Sequence, residues 1–177
     1  MLFVPKTTAL IALIFLSISG KAKAQITEIE FRGTEIQNVV SPYRKVERNP
    51  VYLKVTIENS HGKTVFHERL GTFVDRPDVS IEAGKAADRG LHTATWSIIG
   101  PDRIKGVART ASYDLISVGT ITGETCKVTN TYKLHPGQSY YILTNINTGS
   151  QVFASHLQME VTSCLVRRNN NRINPSG

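Results

Sequence analysis

The chain has 177 residues, with 21 Lys and Arg against 14 Asp and Glu, a formal net charge of +7, five His and two Cys. That length suits one domain with a real core and is short for two. Two cysteines exclude a disulfide-dense miniprotein. The basic residues are scattered except for Arg167, Arg168 and Arg172, so the clustered charge of a nucleic-acid surface is missing and no nucleic-acid partner is expected.

The N-terminal stretch MLFVPKTTALIALIFLSISGKAKAQ carries Lys6 before an apolar run over residues 9–18. That run suits a signal-peptide core and falls short of the roughly 20 residues of a membrane span. Ala22-Lys23-Ala24 places small residues at the cleavage positions. Residues 1–24 therefore read as a signal peptide cut after Ala24, with an uncleaved anchor as the alternative. No cysteine follows the apolar run, which excludes a lipoprotein anchor, and no later segment is long enough to span a bilayer. The protein is expected to be exported, to a periplasm or beyond the cell. Cleavage removes Lys6, Lys21 and Lys23 and leaves 18 basic residues against 14 acidic ones, a net charge of about +4.

Residues 26–31 read as a first strand and 34–40 as a weaker one. SPYRKVERNP, 41–50, reads as an exposed loop between prolines. In residues 51–58, Val51, Leu53, Val55 and Ile57 alternate with Tyr52, Lys54, Thr56 and Glu58, the period of a half-buried strand. Residues 64–70 form its return partner. Residues 74–90 read as an irregular connection, with a short helix over 82–88 as an option that Gly84 weakens. Strands follow over 91–99 and 107–122, the latter broken near Gly119. Further strands are predicted over 127–134, 139–146 and 151–166. His135-Pro136-Gly137-Gln138 and Asn147-Thr148-Gly149-Ser150 supply the turns between them. Residues 167–177 read as a flexible basic tail.

Short strands with turns between them predict an all-β fold over residues 25–166. An antiparallel β-sandwich of about 7–9 strands comes first, a small β-barrel second, and an α+β fold with one helix near 80–90 third.

Cys126 and Cys164 are expected to form a disulfide, because export permits one. The alternatives are two buried thiols or an intermolecular bond. A plain meander of the last three strands forbids the bond. Eight strand residues span about 26 Å at roughly 3.3 Å each, and a disulfide needs Cα atoms within about 7 Å. The chain must therefore turn near Ala154-Ser155-His156, so that residues 157–165 run back towards Cys126. Simple alternation also puts Cys164 on the face of Gln158, Glu160 and Thr162, opposite Leu157, Met159 and Val161. A β-bulge would repair this.

The remaining chemistry is sparse. Gly62-Lys63-Thr64 resembles the end of a phosphate-binding loop, but the first glycine of that motif would fall at Ile57, and a strand rather than a helix follows. His61 and His67 are weak metal candidates, with Glu58, Glu68, Asp75 and Asp78 as nearby carboxylates. Their spacing fits no zinc motif, and a turn histidine and a surface strand histidine describe them as well. His92, His135 and His156 complete the set. A His-based hydrolase needs two of the five in one cleft. No catalytic residue is assigned and no cofactor is expected. Trp96 reads as a core anchor. Tyr140 and Tyr141 should point to opposite faces. The expected function is an exported, non-enzymatic module that binds a protein or surface partner. A structural subunit of an envelope assembly and a small secreted hydrolase are the alternatives.

Overall fold

The computed structural model describes residues 25–71, 79–88, 92–145 and 148–169. The signal segment 1–24 and residues 170–177, with Arg172, lie outside the described residues. So do Asp75, Asp78, Leu91 and Asn147.

Eleven strands form among the described residues: β1 Gln25–Ser41, β2 Lys45–Ser60, β3 Lys63–Gly71, β4 Val79–Glu82, β5 Ala86–Asp88, β6 Thr93–Gly100, β7 Arg103–Arg109, β8 Tyr113–Thr122, β9 Thr125–Leu134, β10 Tyr141–Thr144 and β11 Gln151–Asn169. They pair antiparallel in the order β4-β3-β2-β1-β11-β9-β8-β7-β6-β5, with β10 beside β11. No helix among the described residues is long and apolar enough to cross a membrane.

The all-β class holds. The architecture is the barrel alternative rather than the two packed sheets of a sandwich, because one continuous sheet curls almost shut. At its free edges the Gly84 amide donates to the Trp96 carbonyl at 2.8 Å, which brings the β4–β5 turn onto β6. The α+β alternative fails at residues 80–90. Gly84 takes a positive φ of 78° and makes a turn, and Ile81 on β4 is 1% exposed in the core.

Alternation decides which side chains fill the interior. Val51, Leu53, Val55 and Ile57 of β2 are buried, as the sequence pattern requires. The Ser60–Lys63 turn closes the β2–β3 hairpin with His61 at φ 50° and Gly62 at φ 76°, the two left-handed residues of a type I′ turn. The Gly62-Lys63-Thr64 triplet is therefore a hairpin tip.

Four expectations need correction. The loop expected over 41–50 shrinks, because Lys45 to Pro50 pair with Val39 to Thr34 and extend the β1–β2 hairpin. Pro50, which has no N–H to donate, stands opposite Thr34 of β1, and the β2–β3 ladder among the described residues runs from Ser60↔Lys63 to Tyr52↔Gly71. The break expected near Gly119 falls at 110–112 instead. Gly119 stays within β8, paired with Ile104, and a Cβ there would stand 3.1 Å from Ile104 Cγ1. The strand expected over 139–146 contracts to Tyr141–Thr144. β11 continues through Arg167 and Arg168 to Asn169, so these belong to a strand and not to the tail.

The disulfide is formed, with Cα atoms 5.1 Å apart. The chain does not turn at 154–156 to begin a new strand. Instead β10 pairs with the start of β11 (Tyr141↔Ala154 to Thr144↔Gln151), and β9 meets the same strand near its end through Leu165↔Thr125. The expected repair is present. The β1–β11 register jumps from Arg32↔Ser163 to Gly33↔Val161, so Thr162 is bulged. Cys164 thereby joins Met159 and Val161 against the core. The bulge presses the β11 backbone onto β1, where a Cβ on residue 33 would collide with the Glu160 carbonyl oxygen; only glycine fits at Gly33.

Candidate functional site

The two ends of the barrel differ. At one end, reached by the β8 start, the β9 end and β10, three tyrosines fill the interior. Tyr113 lies 5.8 Å from Tyr132 and 5.5 Å from Tyr141 between ring centroids. Tyr132 donates its hydroxyl to Glu35 Oε2 at 2.5 Å, and Gln37 Nε2 donates to Glu35 Oε1 at 2.7 Å. Burial, reinforced by the Glu35 carboxylate, pushes both the Tyr113 and Tyr132 phenols well above their ordinary range. Ser112 is fully buried, and its Oγ accepts the Ile142 N–H at 2.8 Å. Asp114 accepts from Arg109 Nε at 3.0 Å and sits 3.0 Å from His135 Nε2. Those two partners, Arg109 first, hold the Asp114 carboxyl down at about 2. Tyr141 packs into this cluster while Tyr140 is 47% exposed.

At the other end the interior is aliphatic and a groove of about 300 Å³ opens. That is the lower end of the size range of small-ligand pockets. Its floor is Ile57, Ile104 and Ile121, contributed by β2, β7 and β8. Gln25 and Thr27 of β1 and Asn59 of β2 form one wall. The β6–β7 hairpin, with Ile98, Asp102 and Arg103, forms another, and Arg168 of β11 completes it.

Local structure explains why this hairpin presents what it does. Trp96 is 5% exposed and anchors β6, its indole filling the space over Gly106, where a Cβ would come within 2.8 Å of the ring. Its Nε1 donates to the buried Glu68 Oε2 at 2.7 Å. Ile98 keeps the inward phase of Ala94 and Trp96 but stands at the mouth, 48% exposed. The register then jumps from Ile98↔Ile104 to Gly100↔Arg103, so Ile99 is bulged outward and is 42% exposed. The Ile121 N–H donates to the Asp102 carbonyl at 2.8 Å and fixes the tip. Arg168 reaches Asp102 at 3.6 Å with both side chains about half exposed, a loose pair. The Arg103 side chain is exposed and forms no ion pair or hydrogen bond among the described residues, while its backbone pairs within the sheet.

The histidines occupy five separate places. His61 is the β2–β3 turn tip, His92 precedes β6, His135 follows β9, and His156 is exposed on β11. His67 lies on the outer face of β3, with Ser80 Oγ 3.0 Å from Nδ1 and Glu58 Oε2 3.5 Å from Nε2. This row has the residue types of a Ser–His–Glu triad. Its His and Glu side chains are 35% and 41% exposed on a sheet surface, and it reads as a cross-strand polar row. Among the described residues, no group of three or more His, Cys, Asp or Glu converges to hold a metal ion.

Sequence reasoning flagged Arg168 but placed it in the tail. It missed Gln25, Ile98 and Arg103. The visible signal was Ile98-Ile99 next to the Gly100-Pro101-Asp102 turn, an apolar pair at a hairpin tip. The chain matches no family model, no curated protein and no solved structure.

Proposed function

We propose that this is an exported, non-enzymatic binding module that engages a protein partner through the groove end of the barrel. The observation that carries this reading is the β6–β7 hairpin. Two adjacent isoleucines stand exposed beside a groove with an apolar floor and two arginines on its rim. Exposed apolar anchors ringed by polar groups and Arg are the composition of a binding hot spot. The leader pattern of residues 1–24 supports export, and the Cys126–Cys164 bond fits an oxidising compartment.

Site-specific photo-cross-linking in the native host tests this. A benzoylphenylalanine at position 98 is expected to trap a defined protein partner. The same group at position 140, at the tyrosine end, is expected to trap none. Equal cross-linking from both positions, or none from position 98, would overturn the reading.

A second reading, a subunit assembled by strand addition, has one observation in its favour. β9 and β11 share the single ladder pair Leu165↔Thr125. Among the described residues, facing stretches of both strands therefore lack a ladder partner on that side. Lys127 and Lys133 on β9 work against it, since edge lysines discourage added strands.

A further inference from the structure

We infer that the groove captures the C-terminal carboxylate of an extended peptide whose last side chain is apolar; this rests on the binding reading above and names its chemistry. Charge comes first. Arg103 has no counter-ion among the described residues, and Arg168 holds only the loose 3.6 Å pair with Asp102. The rim therefore offers one unneutralised guanidinium and a second that an incoming carboxylate can take over from Asp102. A guanidinium fork matches a planar carboxylate in two parallel hydrogen bonds.

The floor and wall decide what carries that carboxylate. Ile57 and Ile104 are each 5% exposed and present an apolar bed at the mouth, with Ile98 overhanging it. One apolar side chain suits this bed. The opposite wall is not apolar: Gln25, Thr27 and Asn59 face the groove with amide and hydroxyl groups. Asn59 Oδ1 already accepts the Thr64 hydroxyl at 2.6 Å, which leaves the amide NH₂ to donate. Such a wall would strand polar groups against an acyl chain, whereas a peptide backbone supplies partners for them. A volume of about 300 Å³ holds the end of a peptide rather than a long segment.

The test uses fluorescein-labelled pentapeptides ending in Val, Leu, Ile or Phe, each made as the free acid and as the carboxamide. Binding to the purified, oxidised protein is followed by anisotropy. The free acids are expected to bind at least tenfold more tightly than the amides. Arg103→Gln and Arg168→Gln should each weaken the acids about tenfold and leave the amides unchanged. Asp102→Asn, which frees Arg168, should tighten the acids several-fold. If Arg168→Gln does not fold, Arg168→Lys keeps the charge without the fork and should give an intermediate loss.

Equal binding of acid and amide overturns the inference. So does competition by decanoate as strong as by the peptides, which would assign the groove to acyl chains. Absence of all peptide binding while position 98 still cross-links a partner defeats the carboxylate proposal and leaves the binding reading standing. Absence of both defeats both.

Discussion

The tyrosine end and the groove end of this barrel share β1 and β8, yet they put polar groups to opposite uses. At the tyrosine end Glu35, Ser112, Asp114 and His135 already hold partners at 2.5 to 3.0 Å. Three packed rings leave little to offer a ligand there. At the groove end the aliphatic floor stops short of the rim, Ile98 and Ile99 are exposed, and Arg103 faces solvent. A group that already has its partner contributes to folding, and a group without one is available to bind. On the binding reading proposed above, stability and recognition lie at opposite ends, and substitutions can separate them.

The largest expected effect is on the disulfide between β9 and β11. The Cys126→Ser/Cys164→Ser double variant should lose about 4 kcal/mol on the chain-entropy model, read from the urea midpoint. A loss near zero would mean that the Leu165↔Thr125 contact alone closes this seam. Tyr132→Ala at the tyrosine end should cost about 3 kcal/mol, from lost ring packing and a Glu35 carboxylate deprived of a donor. Peptide binding should survive it below the melting temperature. Gly33→Ala should cost about 2 kcal/mol, because the new Cβ must displace the β11 backbone at the Thr162 bulge.

Asp114 gives a smaller, pH-dependent effect. Its folded carboxyl lies at about 2, below the ordinary 3.8, held there first by Arg109 and then by His135. A lowered carboxylate stabilises the fold above the unfolded value and loses that contribution as pH falls from about 4 to about 2. Arg109→Gln should raise the Asp114 titration midpoint in an NMR titration and shrink the loss of melting temperature across that window. An unchanged midpoint would show that Arg109 does not hold the carboxylate. Ile98→Asp sits at the other extreme. It should change stability by no more than about 0.5 kcal/mol, as for an exposed position, while abolishing cross-linking from a probe at neighbouring position 99.

Parts of this contrast were legible in the sequence and parts were not. The strand of residues 51–58 was legible because its period is local. The hairpin after residue 58 was legible because Asn59, Ser60 and Gly62 are turn residues between two strand patterns; the left-handed φ of His61 was not. The pairing of Cys126 with Cys164 was expected from the leader pattern, which predicts export, and the mismatch of faces pointed to a bulge. The position of that bulge was hidden, since Thr162 is an ordinary strand residue and the Arg32-Gly33 step opposite it lies far away in the chain. The strand at 45–50 was hidden because Pro50 reads as a breaker, and its pairing with residues 34–39 of β1 leaves no mark in the local pattern. The groove was the least legible feature. Gln25, Ile57, Ile104, Ile121 and Arg168 come from five strands, and only barrel closure brings them together.

A ¹⁵N–¹H NMR titration of the oxidised protein with the free-acid peptide mixture distinguishes the two ends residue by residue. Shift changes are expected only at the groove end, at Thr27, Ile98, Arg103, Ile121 and Arg168, with Tyr113, Tyr132 and Tyr141 unmoved. Changes centred on the tyrosine end, or on the outer row of Glu58, His67 and Ser80, would contradict this expectation.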